Sequence, residues 1–305
     1  MKKRNRILSL LLAGVMALGL TACGASNAGA AADETGSAAV STESASSDTA
    51  ASGEKIINVG VTNTIGSLNP LLLNGGEINK YATGLMFLPL MELDADLNFE
   101  GMLADSITTE DNKNFIVHID DAATWSDGTP VTADDVVYTA LRLASPVIGN
   151  TAMMYYVFEG VGEDGFVEEG ADHVEGITRV DDKTVRFTTK APMSLITFNS
   201  SYARYLMPLP KHVIGDIDEK ALTSDPWFSR PDVVSGPYKV TEFDRDHYVS
   251  YGADKDDWKG TPKMERLNIK IVEGSQLYAG LKAGEIDITQ NTRSTIPLED
   301  YESVA

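Results

Sequence analysis

The residues that could perform chemistry are few in this chain and lie far apart. Its 305 residues include one cysteine, Cys23, and four histidines. No two histidines have the H-x-x-x-H spacing that places two metal ligands on one helix face, and no G-x-S-x-G nucleophile motif occurs. We therefore predict a protein with no catalytic residues, no cofactor and no metal site. The four histidines are His118, His173, His212 and His247.

One short acidic segment is similar to the start of a calcium-binding loop. Asp94, Asp96 and Asn98 occupy alternate positions, as the first three ligands of an EF-hand do. Phe99 stands where that loop requires glycine, and Asp105 stands where it requires the bidentate glutamate. The pattern therefore favours a plain turn between two short strands.

Composition excludes several classes of function. The chain carries 45 acidic and 25 basic residues, for a net charge of −20. Such a chain repels nucleic acid instead of releasing counterions from it. A single cysteine allows no disulfide within the chain and no cysteine-based zinc or iron–sulfur site.

The first 23 residues indicate export. Four basic residues precede an apolar stretch over 7–20, which is too short to span a bilayer comfortably. Leu20-Thr21-Ala22-Cys23 then resembles the lipobox of bacterial lipoproteins, in which the cysteine thiol is lipidated and the signal is removed before it. The alternative is an ordinary signal peptide with an incidental cysteine. Two or more acyl chains on Cys23 would anchor the protein stably to the outer face of the cytoplasmic membrane.

The segment that follows, 24–54, predicts a disordered tether. Of residues 24–53, 24 are Ala, Ser, Gly or Thr and none is aromatic. Such a segment buries too little apolar surface to offset the entropy lost on ordering.

Hydrophobic patterning predicts a mixed α/β fold from residue 55 onward. We expect strands over 55–62, 115–119 and 267–271, and hairpins over 177–189 and 237–251. A helix is expected over 77–93, ending near Pro89. A second helix is expected to begin at Thr132, which forms a capping box with Asp135.

The last predicted unit is strand, helix and strand. Ser275 is expected to cap its helix, Gly284 to end it, and 285–289 to form the second strand. This βαβ order favours parallel pairing and an α/β architecture.

Seven segments in a fixed order carry a family resemblance. WSDGTPVTADDVVYTALRLASP at 125–146 closely resembles the signature of bacterial extracellular solute-binding proteins of family 5, which bind oligopeptides, dipeptides or nickel for ABC importers. The other segments with family counterparts are SLNPLL at 67–72, LADSI at 103–107, LPKHV at 209–213, SGPYKV at 235–240, DDWKGTPKMERLNIKIV at 256–272 and LKAGEIDI at 281–288.

The resemblance implies a periplasmic-binding-protein-like fold of type II, in the enlarged peptide-binding class. It implies a first-lobe core subdomain over 55–90 and 206–305, with an inserted subdomain over 91–205 that carries the signature. Since family members usually run to about twice this length, we expect the second lobe to be missing from this chain. The signature itself is expected to determine the fold, with Asp127-Gly128 as a turn, Thr132 as a cap and Trp125 as a packing residue.

The function implied is that of a substrate-binding lipoprotein. It would capture oligopeptides or dipeptides outside the membrane, act as a monomer when full length, and deliver them to an ABC permease and its ATPase. The alternatives are a non-transporting surface lipoprotein, such as a receptor or adhesin, and a secreted hydrolase.

Ligand contacts are expected at the inner edge of the lobe. The resemblance places the segment after the LNP element there, which makes Asn74, Glu77, Asn79 and Tyr81 candidates; the alternative is a surface loop and helix start. Further candidates lie near the crossover between subdomains and on the floor of the lobe. Arg204 would meet a ligand carboxylate or form a structural ion pair, and Ser235-Gly236 would line the floor or form a packing turn. These further candidates are Tyr202, Arg204, Ser235 and Gly236.

Overall fold

The computed structural model describes residues 54–73, 77–153 and 155–290. Predicted residues Cys23 and Asn74, and the tether over 24–53, lie outside the described residues. Within the described part the strands are β1 (Ile56–Val61), β2 (Met91–Leu93), β3 (Phe99–Gly101), β4 (Ala104–Thr108), β5 (Asn114–Ile119), β6 (Ile177–Arg179), β7 (Thr184–Thr188), β8 (Tyr238–Asp244), β9 (Tyr248–Ala253), β10 (Arg266–Ile271) and β11 (Ile288–Thr289). The helices are α1 (Glu77–Gly84), α2 (Ala133–Leu143), α3 (Leu195–Phe198), α4 (Lys211–Ile214) and α5 (Gly274–Ala283).

A five-stranded sheet unites the two ends of the described chain. Its order is β11-β1-β10-β9-β8, with β1 parallel to both β10 and β11. The βαβ prediction is confirmed, and β1 lies between its two strands. Val59, Ile269 and Val249 stand side by side on one face and are buried there. On the other face α5 packs so closely that a Cβ added at Gly60 would lie 2.7 Å from the Leu277 side chain.

A four-stranded antiparallel sheet, β4-β5-β7-β6, has its own core of aromatic rings. Phe115 and Phe187 are cross-strand partners, and Phe115 stacks on Phe198 with ring centroids 4.3 Å apart. Phe158 and Tyr202 add an edge-to-face pair at 4.9 Å. Edge-to-face and offset aromatic contacts stabilise such a core beyond the area that they bury.

The strands of the two larger sheets come from separate stretches of chain. Those of the four-stranded sheet lie within 104–188, and those of the five-stranded sheet lie within 56–61 and 238–289. The two connecting segments touch, because Leu90 N donates to Ala203 O at 3.1 Å and to Leu206 O at 3.2 Å. We propose that this division corresponds to the core subdomain of 55–90 and 206–305 and the inserted subdomain of 91–205.

The helix predicted over 77–93 was wrong in its second half. The helix α1 ends at Gly84, where Phe87 N closes the last turn on Thr83 O at 3.0 Å. Residues 85–90 are all apolar, and Pro89 disfavours helical conformation at the residue before it. Residues 86–90 are buried without forming a helix, and the next strand begins at Met91.

The other predicted elements are confirmed, with adjustments at their ends. The turn after β2 is an Asx turn, in which Asp94 Oδ1 accepts from Asp96 N and Asn98 N at 2.9 and 2.8 Å. The residue at the N-cap position of α5 is Glu273 and not Ser275, because the helix already begins at Gly274, and the Glu273 side chain makes no capping hydrogen bond. Gly284 ends α5 in the left-handed conformation, with φ of 72°. Among the described residues no helix is long and apolar enough to cross a membrane.

Candidate functional site

The signature segment is organised around the buried carboxylate of Asp135. Asp135 is 4% exposed, and its Oδ2 accepts from Thr132 N at 2.9 Å and from Thr132 Oγ1 at 3.1 Å. Its Oδ1 accepts from Lys211 N at 2.9 Å, at the start of α4. The predicted capping box is therefore present, and it also fixes α2 to α4.

The turn of the signature makes a second connection across the chain. Ser126 N donates to Val234 O at 2.8 Å, and Val234 N donates back to Ser126 Oγ at 3.1 Å. Asp127 pairs with His212 at 2.9 Å. Burial alone would raise the pKa of Asp127, but hydrogen bonds from Thr129 and His212 outweigh it and lower that pKa. These contacts join parts of the chain about a hundred residues apart. They indicate that the signature segment has a structural role.

Two of the predicted site residues are held by backbone around the end of α1. Ser235 is 1% exposed, and its Oγ accepts from Leu88 N at 3.1 Å. The amides of Ser235 and Gly236 both donate to Met86 O, at 3.0 and 2.7 Å. A Cβ at Gly236 would lie 2.6 Å from Leu85 O, so only glycine fits.

Two further candidates are buried in the described structure. Asn79 is 6% exposed, and its Oδ1 accepts from Gly66 N at 3.0 Å. Tyr202 is 8% exposed and belongs to the aromatic core. Burial, together with the nearby Tyr156, raises the pKa of Tyr202 to about 12. Glu77 begins α1, and Asn74 lies outside the described residues.

The candidates that reach solvent are Tyr81, on α1, and Arg204. Tyr81 is 40% exposed. Arg204 follows a π-helical turn over Asn199–Ala203, and its side chain is 18% exposed. Its Nε donates to Glu92 Oε1 at 2.5 Å, so the alternative of an ion pair within the protein is realised at this nitrogen.

Glu92 joins Arg204 to α1 through a second cation. Its Oε2 is paired with Lys80 Nζ, and its Oε1 also accepts from Leu93 N at 2.9 Å. Burial alone would raise the pKa of Glu92. Hydrogen bonds from Lys80, Leu93 and Arg204 and the charge of Lys80 outweigh burial and hold the pKa below its ordinary value. We call Lys80, Glu92 and Arg204 the charge cluster.

The sequence did not single out Lys80 or Glu92. Lys80 is 5% exposed, and lysine is seldom this buried unless it is paired. It is adjacent in sequence to the two candidates Asn79 and Tyr81. Glu92 interrupts the apolar run at 85–93, and a charge inside such a run was the available signal.

The histidines each pair with one aspartate and do not converge. The distances are 3.0 Å for His118–Asp105 and 2.9 Å for His212–Asp127. His173 and His247 pair with Asp172 and Asp244 at 2.6 and 3.0 Å. Over 54–73, 77–153 and 155–290 no group of three or more His, Cys, Asp or Glu side chains is arranged to hold a metal ion.

Comparison with known proteins places this geometry in a family. The model of bacterial extracellular solute-binding proteins, family 5 (middle region), matches residues 98–303. The dipeptide-binding protein DppE of Bacillus subtilis is 28% identical over 247 residues, which are 77% of this chain and 43% of that protein.

Solved structures share the fold. The oligopeptide-binding protein AppA of Bacillus subtilis, in complex with a nonapeptide, superimposes with a TM-score of 0.67 at 22% identity, over 82% of this chain and 46% of that one. The murein tripeptide binding protein MppA of Escherichia coli gives a TM-score of 0.69 at 20% identity, over 82% and 48% of the two chains.

The fold is thus the α/β architecture of periplasmic peptide-binding proteins, as the sequence resemblance implied. The chain belongs to the bacterial extracellular solute-binding proteins of family 5. It spans less than half the length of the relatives described above.

Proposed function

We propose that this protein captures peptides outside the cytoplasmic membrane and delivers them to an ABC permease. The observation that carries the proposal is the family match over 98–303, because the family consists of extracellular solute-binding proteins. The relatives above are described as binding a dipeptide, a nonapeptide and a murein tripeptide. In this role the protein performs no reaction, and transport follows from binding and release.

We also propose that the protein is held at the membrane by lipid on Cys23. The lipobox-like LTAC and the tether of small residues over 24–54 support this. At about 5–6 Å × √n, a tether of this length has a mean reach of roughly 30 Å. The binding domain would then lie close to the cytoplasmic membrane, near the external opening of a permease.

The ligand surface, in this proposal, is the edge formed by α1 and the segment around Arg204. Tyr81 and Arg204 contact the peptide there. Asn79, Tyr202, Ser235 and Gly236 shape that edge by fixing the backbone behind it. Glu77 is the first residue of α1, and Asn74 stays a candidate from its place in the sequence alone. Peptides bound in extended form gain affinity from backbone hydrogen bonds, which is compatible with many sequences.

The test is uptake and binding measured on the same protein. The mature protein is purified from the membranes of a bacterium that expresses its gene, and a library of peptides of two to nine residues is offered to it. Mass spectrometry then identifies the retained peptides. We expect retention of peptides, and slower uptake of those peptides in a strain that lacks the gene.

Two controls separate this function from its alternatives. An unrelated lipoprotein purified in the same way controls for adsorption to lipid. Peptides recovered intact argue against a hydrolase, whereas fragments would support one. Retention of no peptide, or unchanged uptake in the deletion strain, would refute the proposal.

A further inference from the structure

The turn between β2 and β3 places a leucine where neither its backbone nor its side chain is in a favourable environment. Leu97 has a φ of 64°, and Asn112 is the one other non-glycine residue with positive φ among the described residues. Asparagine tolerates this left-handed region, whereas a bulky side chain is an outlier there. Leu97 is also 76% exposed, more than any other large apolar residue that the structure describes. Folding alone therefore gives no reason for leucine at this position.

The conformation of Leu97 is imposed by the residues around it. Asp94 Oδ1 accepts from Asp96 N and Asn98 N at 2.9 and 2.8 Å, and Asp94 N donates to Asn98 O at 2.9 Å. Leu97 N donates to Asp94 O at 3.1 Å. These four bonds close the turn and hold the leucine in a fixed, exposed position. Backbone strain of this kind persists where the surroundings over-determine it, and it concentrates at functional sites.

A second hairpin shows that this type of turn does not require an exposed leucine. In the turn between β8 and β9, Asp246 N donates to Asp244 Oδ1 at 3.2 Å, which repeats the first bond of the β2–β3 turn. Residues 244–247 are all polar, and none of them has a positive φ. The exposed apolar side chain is therefore particular to the β2–β3 turn, and burial in a complex would remove it from water.

The charge around Leu97 indicates what kind of surface would bury it. Residues 94–100, which we call the β2–β3 tip, include Asp94, Asp96 and Glu100 and no Lys or Arg. An acidic tip is repelled by an anionic membrane surface, and also by a second copy of this chain, whose net charge is −20. The partner that fits is a protein with an apolar depression bordered by Lys or Arg side chains.

We propose that the β2–β3 tip docks on the external face of the ABC permease, with Leu97 inserted in an apolar depression that basic side chains border. This rests on the proposed function, because delivery requires the binding protein to contact a permease. Since the turn already fixes the leucine, docking orders little further backbone. Asp96 and Glu100 are exposed, so they steer the approach and set its orientation.

The experiment replaces the leucine without disturbing the turn. Leu97→Asn keeps a residue that adopts positive φ and removes the apolar side chain, whereas Leu97→Met keeps an apolar side chain. Each variant is expressed from its own gene in the deletion strain, and uptake of the peptides that the unaltered protein retains is measured at equal amounts of protein. Loss of a buried leucine predicts docking about 10- to 100-fold weaker, and therefore slower uptake, in Leu97→Asn. Leu97→Met should keep most of the uptake rate.

Two measurements on the purified Leu97→Asn protein separate docking from ligand binding and from folding. Its retention of peptides should equal that of the unaltered protein, because the tip contacts the permease and not the peptide. Its melting temperature should be equal or higher by up to about 3 °C, because asparagine suits the left-handed conformation better than leucine does.

The controls are matched to the separate features of Leu97. Ile196→Gln removes another aliphatic side chain, which is 70% exposed, and should leave uptake unchanged. Asn112→Gly changes the other non-glycine residue with positive φ and should also leave uptake unchanged. For the charges, Asp96→Asn should slow uptake by about 2- to 5-fold, whereas Asp246→Asn in the β8–β9 turn should not.

Each outcome decides between the proposals. Unchanged uptake in Leu97→Asn would overturn this inference and leave the proposed function standing. Weaker peptide retention by that variant, or slower uptake in Ile196→Gln or Asn112→Gly, would also overturn it. Unchanged uptake in Asp96→Asn would overturn the basic character of the partner surface. If the unaltered protein retains no peptide, or its deletion leaves uptake unchanged, the proposed function fails, and this inference fails with it.

Discussion

Two carboxylates in this molecule, that of the buried Asp135 and that of the partly buried Glu92, are satisfied in different ways. Asp135 accepts from neutral groups, namely the amide and hydroxyl of Thr132, the amide of Lys211 and the indole N–H of Trp125. Glu92 accepts from two cationic side chains, and one of these, Arg204, has two nitrogens with no hydrogen-bond partner among the described residues. The first arrangement is closed and maintains the fold. The second leaves the Arg204 side chain partly exposed to solvent.

The largest effect on stability should come from removing the carboxylate of Asp135. Replacing Asp135 by Ala leaves two partly buried amides, a hydroxyl and the indole N–H of Trp125 without their acceptor and removes the capping box of α2. We expect the free energy of unfolding to fall by about 3 kcal/mol. Urea denaturation followed by circular dichroism measures this.

The neighbouring residue supplies the control for that loss. Asp134 lies in the same helical turn, is 53% exposed and only approaches Arg179 at 3.9 Å. Asp134→Ala should therefore cost less than about 1 kcal/mol. Equal losses at the two positions would show that helix charge, and not the buried bonds of Asp135, stabilises the signature.

A second prediction concerns the backbone that supports the proposed ligand edge. Gly236→Ala would place its Cβ 2.6 Å from Leu85 O and 2.9 Å from Met86 O, and backbone atoms cannot move aside easily. We expect a loss of about 2 kcal/mol in the free energy of unfolding. Gly274→Ala is the control, because no atom lies within 4 Å of a Cβ there. A tolerated Gly236→Ala would mean that this turn is looser than its hydrogen bonds indicate.

The third prediction tests the charge cluster through pH. The pKa of Glu92 is lowered from 4.5 on folding, so its pairing contributes stability above pH 4.5 that is lost as the pH falls through the lower folded value. Glu92→Gln should lower the free energy of unfolding by about 1–2 kcal/mol at pH 7 and remove this part of the acid dependence.

The control for that prediction is an exposed ion pair. Lys113 and Glu159 pair at 3.3 Å, with both side chains 38% exposed. Glu159→Gln should therefore cost less than about 0.5 kcal/mol. An acid dependence that is identical in Glu92→Gln and the unaltered protein would contradict a strengthened pairing at Glu92.

The same contrast explains what could be predicted from sequence. Asp135 and Thr132 are three residues apart, so their contact follows from helix geometry and was anticipated as a capping box. The hairpins and parallel strands likewise follow from local alternation and turn residues. The extent of α1 did not follow from the local pattern, because an apolar run does not distinguish a buried helix from a buried extended segment.

The charge cluster was less accessible to sequence reasoning, because its members are joined by tertiary structure. Glu92 and Arg204 are 112 positions apart. Arg204 was a candidate from its place near the crossover. Nothing local indicates that Glu92 would accept a hydrogen bond from its Nε while both Nη groups have no hydrogen-bond partner among the described residues. Whether a polar side chain is saturated depends on partners that only the fold brings together.

The smallest predicted effects concern two buried tyrosines, of which one has a hydrogen-bond partner for its hydroxyl and the other has none among the described residues. Tyr251 and Tyr155 are 0% and 1% exposed, and burial raises the pKa of both hydroxyls, so both stay neutral. Tyr251 Oη donates to Ala82 O at 2.9 Å, whereas Tyr155 Oη has no partner in the described structure. Tyr251→Phe should therefore cost about 1 kcal/mol of unfolding free energy, and Tyr155→Phe should cost nothing or stabilise slightly. Both values follow from urea denaturation of single variants that keep the ring. If Tyr155→Phe proved the more damaging of the two, its hydroxyl would have to be satisfied in solution, and the number of hydrogen bonds that a buried group makes in this structure would be a poor guide to what it contributes.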